Sequence, residues 1–208
     1  RHIIKKINTK PHVGVINGLY ASTSGIGGIT IIEVFKKISS SFLQLELTGH
    51  QGDVMKESMS VARTLAWNML TKELQDKITL NKNYGIHIHC PDTSTSKDGP
   101  SAGVAITLGI LSLLTGLEIN NKIAITGEID LNGNAMKIGG LEAKVDGAKQ
   151  AGVNIVLCPL ENSEDLEKIR TRDFPPENDT FKIFTINTLL DAIDYVFDKS
   201  IYKYLSIN

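Results

Sequence analysis

The sequence predicts an α/β (α+β) fold, a single compact domain of interleaved strands and helices over residues 1–208. Three observations lead there. Segments that alternate apolar and polar residues are interleaved with segments whose apolar residues recur at three and four, the periods of half-buried strands and amphipathic helices. No interdomain linker, internal repeat or long low-complexity stretch divides the chain. A chain of 208 residues also holds one core without staples, since a domain of that size buries roughly 70% of the surface its unfolded chain exposes.

The elements follow in order. Val13 to Tyr20 reads as a strand, Ser22 to Gly28 as a Gly/Ser turn, and Ile29 to Phe35 as a second strand. Phe42 to Leu47 alternates near its end, as a half-buried strand should. After a break at Gly49 to Gly52, Met55, Ser58, Val61, Ala62, Leu65 and Met69 fall at helical steps, which predicts one long helix from Val54 to Leu74. Ile86-His87-Ile88-His89-Cys90 alternates with period two, isoleucines on one side and histidines on the other. Pro91 to Pro100 is a polar loop, and Ser101 to Leu117 is an almost wholly apolar, buried helix. Lys122 to Thr126 reads as a strand, Gly127 to Gly140 as turns with another short strand, and Leu141 to Ala151 as a helix closed by Gly152. Ile155 to Cys158 is a strand, Glu161 to Ile169 a short helix and Arg170 to Asp179 a loop. Phe181 to Ile186 is a strand, and Leu189 to Phe197 the last helix.

Composition removes several functions. A net charge of -1 gives no field to attract a nucleic acid, and an aromatic content of 6% gives no base-stacking surface. Cys90 and Cys158 form no CxxC pair, so zinc and redox motifs are unsupported; two buried thiols in strands are the plain reading, with a disulfide between them left open. The most apolar stretch, Val104 to Leu117, is too short to span a bilayer and carries Thr107, Ser112 and Thr115. The N-terminus has no signal-peptide core, so a soluble intracellular protein is expected, in cytoplasm or mitochondrial matrix without distinction. The chain opens on Arg1 rather than Met, which fits a piece of something longer.

The sharpest local feature is Asp98-Gly99-Pro100-Ser101-Ala102-Gly103. It places Ser101 at a helix N-terminus, where unpaired backbone N–H groups can serve as oxyanion donors. Gly99 and Gly103 would leave room for a substrate backbone. The same hexapeptide is equally well a helix N-cap. Gly99 to Gly103 also fits G-x-S-x-G, the nucleophile elbow of α/β-hydrolases, but that order needs a histidine after the serine. All five histidines precede Ser101, so a serine nucleophile here needs another base. Lys144 is the candidate. It borders the inward stripe Leu141, Val145, Ala148 and Gly152 of its helix. A lysine withdrawn from water has a lowered pKa, and only the neutral amine can take a serine proton. Snorkelling, with the stem on apolar surface and the ammonium in water, is the alternative for this residue. Gly139-Gly140 ahead of the helix would let backbone pass close to a neighbour.

These residues are arranged as in the Lon protease family, which the sequence resembles over roughly residues 13 to 197. Lys97-Asp98-Gly99-Pro100-Ser101-Ala102-Gly103 resembles the family's nucleophile signature, and Ile138-Gly139-Gly140-Leu141-Glu142-Ala143-Lys144 the segment carrying its catalytic lysine. Thr126-Gly127-Glu128 is similar to a triplet whose threonine contacts that lysine. Ile86 to His89 resembles the family's His-x-His strand. Leu47-Thr48-Gly49 with Val54 to Ser58 resembles its long-helix entry, and Gly152 to Glu161 its Gly-to-Pro-x-Glu-Asn stretch. Glu142 stands where the family usually has a lysine, which alters local charge and keeps the base at Lys144.

The resemblance implies a Lon-type proteolytic domain, a serine endopeptidase with a Ser101–Lys144 dyad. Thr126, Asp98 and Ala102 support the site; for Asp98, a hydrogen bond near the site and a simple turn-forming role stand equal. It implies no cofactor or metal in this domain. ATP and Mg would serve a separate AAA+ module, since no G-x-x-x-x-G-K-[ST] segment occurs here; the chain is either a piece of a full protease with that module in the same full-length chain, which Arg1 favours, or a stand-alone relative. It further implies a hexameric ring acting on unfolded or damaged proteins. His87 and His89 cannot complete a metal site alone and are read as lining a surface or ordering the loop to Ser101. The competing reading is a non-enzymatic scaffold of the same fold with a relict dyad.

Overall fold

A computed structural model describes residues 4–49, 52–91 and 99–207. Among these, nine strands and six α-helices are defined. The strands are β1 (Val15–Ala21), β2 (Gly27–Ile38), β3 (Leu45–Thr48), β4 (Tyr84–His89), β5 (Ile123–Ile125), β6 (Glu128–Ile129), β7 (Ala135–Met136), β8 (Ile155–Pro159) and β9 (Lys182–Ile186). The helices are α1 (Asp53–Met69), α2 (Lys72–Thr79), α3 (Gly103–Thr115), α4 (Leu141–Gln150), α5 (Ser163–Thr171) and α6 (Leu189–Val196). Seven strands form one sheet in the order β3-β4-β2-β1-β5-β8-β9, and β6 pairs with β7 in a small ribbon. Strand β2 runs antiparallel to both β1 and β4, and the other neighbours in the large sheet are parallel.

The sheet separates two cores, as a layered α/β domain must when both faces are apolar. One face, with Ile32, Val34, Ile86 and Ile88, packs on Met55, Met59 and Ala62 of α1 and on the apolar length of α3. The opposite face, with Leu19, Ile29, Ile31 and Val156, is covered by Leu141, Val145 and Ala148 of α4 and by Leu166 and Ile169 of α5. Helix α3 is buried on almost every side, which is why its sequence is apolar without a polar stripe. Cys90 and Cys158 are both buried and form no disulfide with each other. No helix among the described residues is long and apolar enough to cross a membrane.

The expected long helix from Val54 to Leu74 is two helices. Leu70 is buried in an extended conformation and bridges Leu205. The Thr71 N–H donates to the Tyr204 carbonyl, 2.9 Å away. Thr71 then caps α2, its hydroxyl accepting from the Leu74 N–H at 3.3 Å, the usual work of a threonine at that position. The partner is a 3-10 turn at Lys199–Tyr204 that the sequence pattern does not reveal. The strand expected at Phe42 to Leu47 begins only at Leu45, because Leu43 is held at φ 57°, outside the β region.

Candidate active site

Ser101 does not sit in the α-helix itself. Pro100–Ala102 form a separate 3-10 turn, with Pro100 at its first position, and α3 starts after it with Ala102 as N-cap. The cause is the corner after β5. The Gly127 N–H donates to the Ser101 carbonyl at 2.8 Å, and the Gly127 carbonyl accepts from the Val104 N–H at 3.1 Å. Two bonds to one glycine hold the turn that carries the serine. The Gly103 backbone faces Ile129, whose side chain a Cβ at that position would meet at 2.7 Å, so Gly103 serves internal packing rather than the substrate. Gly99 has open space around it.

Lys144 lies within the buried face of α4 and not merely at its border, being only 5% exposed. Its Nζ donates to the Thr126 Oγ1, 3.2 Å away, and Thr126 is itself 0% exposed. Burial moves the lysine pKa from 10.5 down to about 8, because a poorly solvated site disfavours the ammonium. Among the described residues no acidic group offsets this. Glu142 turns outward to Arg172, with 3.2 Å between the charged atoms. Gly140 precedes α4 at φ 68°, a left-handed conformation that glycine adopts without strain; an added Cβ there would lie 2.8 Å from the Ala21 Cβ. Gly139, by contrast, has room for a side chain, with no neighbour within 4 Å of where its Cβ would stand.

Ser101 and Lys144 open on one cleft of about 340 Å³, with Tyr20, Thr30, Met55 and Ala102 on its walls. Tyr20, Thr30 and Met55 belong to segments the sequence pattern marks only as strand and helix. Asp98 and Lys97 lie outside the described residues. His87 and His89 both engage Thr48: its Oγ1 is 2.9 Å from the His87 Nε2 and 2.6 Å from the His89 Nδ1. Glu46 pairs with Lys37 and stands 3.8 Å from the His87 Nδ1. Among the described residues no group of three or more His, Cys, Asp or Glu side chains is placed to hold a metal ion. The two histidines thus tie β4 to β3 through one threonine.

Ser101 and Lys144 thus share one cleft, and sequence comparison gives the family of the chain that carries them. Residues 1–197 fit the family described as the Lon protease (S16) C-terminal proteolytic domain. The chain belongs to that family. Among similar proteins, a Lon protease homolog of Acanthamoeba polyphaga mimivirus is 41% identical over 91% of this chain and 19% of its own length. The Lon protease of Campylobacter jejuni is 36% identical over 92% of this chain and 25% of its own. That of Fusobacterium nucleatum is 39% identical over 90% of this chain and 23% of its own. The Lon-family chain therefore spans about a fifth to a quarter of the length of the curated relatives it matches.

Proposed function

We propose that this domain hydrolyses peptide bonds by acyl transfer, with Ser101 as nucleophile and Lys144 as general base. The observation that carries it is the buried Lys144 amine, held by Thr126 at 3.2 Å on the cleft that Ser101 also lines. A neutral amine keeps N–H bonds and one lone pair. One N–H is given to the Thr126 hydroxyl, which leaves the lone pair to take the Ser101 proton. The serine oxygen then attacks the scissile carbonyl, and backbone N–H groups of the turn carrying Ser101 stabilise the oxyanion. The resulting ammonium protonates the leaving amine, and water, activated by the same lysine, releases the acyl group. Ala102, lining the cleft beside the nucleophile, presents only a methyl group to the substrate, and Asp98 supports the site either by a hydrogen bond near it or by shaping the turn before Gly99. No metal or organic cofactor takes part in this domain.

The names and lengths of the relatives support a larger setting. The domain works in a full-length ATP-dependent Lon-type protease, in which an AAA+ module using ATP and Mg feeds unfolded or damaged proteins to a hexameric ring. The test compares full-length protein with its Ser101→Ala, Lys144→Ala and Lys144→Arg variants on casein with ATP. All three should lose activity while remaining folded. Lys144→Arg should be as inactive as Lys144→Ala, since a guanidinium does not deprotonate in this range. Undiminished cleavage by Ser101→Ala would remove the nucleophile. Near-normal turnover by Lys144→Arg would make Lys144 an electrostatic contact and not a base.

A further inference from the structure

Lys144 is placed by helix α4, and α4 meets strand β2 in an unusual way. A Cβ added to Gly27 would lie 2.0 Å from the Ala143 carbonyl oxygen and 2.9 Å from the Lys144 nitrogen. A Cβ added to Gly147 would lie 2.2 Å from the Gly27 carbonyl carbon and 2.4 Å from the Gly28 nitrogen. All four atoms are backbone, so no side-chain rotation relieves the overlap. Neither glycine has a positive φ; what each supplies is space. Gly147 stands in the interior of α4, where glycine costs about 1 kcal/mol relative to alanine. The two contacts fall one turn apart on α4, at Ala143–Lys144 and at Gly147, so together they set both the height and the tilt of the helix at the lysine.

We propose that Gly27 and Gly147 are positioning residues of the active site: by letting α4 and β2 touch backbone to backbone, they hold the Lys144 amine against Thr126. The proposal rests on the dyad reading above. A helix that must back away to admit one methyl group moves by about 1 Å, and a displacement of that size can lower turnover by about a hundredfold. It also loosens the 3.2 Å bond to Thr126 and admits water to an amine whose pKa is lowered by burial. Among titratable groups on the packed elements, Tyr20 of β1 and Ser101 line the same cleft, and Glu33 of β2 lies beside Phe35 and Val15 at a different cavity. Glu128 of β6 is half-buried, and Glu142 and Asp146 of α4 are engaged by Arg172.

The test uses full-length protein carrying Gly147→Ala or Gly27→Ala. Two readouts are taken: casein turnover against pH, and competitive acetylation of Lys144 against pH read by mass spectrometry. The expected result is a kcat about 10- to 100-fold lower with KM little changed, an activity limb moved to higher pH, and a Lys144 acetylation midpoint moved upward. A folded variant with parental turnover and parental midpoint would overturn the proposal. If Gly147→Ala does not fold, Gly27→Ala carries the test, since it lies at the end of β2 next to the Ser22–Ile26 turn. Unfolding of both would also overturn it, by making the contact a condition of folding rather than a setting of the amine. The two readings fail separately. A raised midpoint alongside an active Ser101→Ala variant keeps the positioning and removes the dyad; an unmoved midpoint alongside an inactive Ser101→Ala variant does the reverse.

Discussion

Lys144, the proposed base, carries the charge on which the proposed chemistry turns. With its pKa brought from 10.5 to about 8 by burial, Lys144 is mostly protonated at neutral pH, and the protonated form cannot accept from Ser101. Casein turnover should therefore rise with pH through about 8, well below the range of a solvated lysine. The same shift sets a pH dependence of stability. Between about pH 8 and 10.5 the unfolded chain keeps the lysine proton and the folded chain has released it. Unfolding then takes up a proton, and stability increases as pH rises through that window. The full span corresponds to about 3 kcal/mol. Lys144→Met should accordingly raise the urea midpoint at pH 7, and the gain should shrink as pH approaches 10.5. A midpoint unchanged at pH 7 would mean the amine is better solvated than its 5% exposure indicates.

Elements are held by contacts that reach far along the chain. Asn162 is fully buried and treats Ile138 as a strand would. Its Oδ1 accepts from the Ile138 N–H at 3.1 Å, and its Nδ2 donates to the Ile138 carbonyl at 2.8 Å. This fastens the segment that leads into α4. Asn162→Ala leaves both backbone groups without partners and should destabilise the domain by about 2–4 kcal/mol, read as a lower denaturant midpoint at constant m. Period-two alternation at Ile86 to His89 is enough to locate β4, and the unbroken apolar run after Ser101 is enough to locate α3. The positions proposed as a dyad, Ser101 and Lys144, stand out in the sequence because each sits in a short motif of unusual residue types. The break at Leu70–Thr71 is not, because its cause is a pairing with Tyr204 and Leu205. Nor is the 3-10 turn at Ser101, which depends on Gly127. Gly27 and Gly147 carry no local signal at all; a glycine needed for space looks the same in sequence as one needed for a turn.

At the scale of the whole molecule, the surface carries apolar residues that the core does not use. Phe184 of β9 stacks on Tyr195 of α6 with ring centroids 5.2 Å apart, and both are partly exposed, as is Leu190 of the same helix. If the domain belongs to a ring that the proposed AAA+ module helps to hold, isolated domains should self-associate only weakly as concentration rises. Sedimentation equilibrium would show an average mass that climbs with loading, and a strict monomer at the highest concentration would count against a ring-forming surface here. The corner at Thr126–Gly127 has a consequence of another kind. Its hydroxyl holds the lysine amine and its next peptide holds the turn that carries the serine, so both members of the proposed pair hang from one dipeptide. When thermal motion carries that corner about, Lys144 and Ser101 are carried with it in the same direction. The displacement is common to both and cancels in their separation, so the alignment of the two can be narrower than the excursions of either.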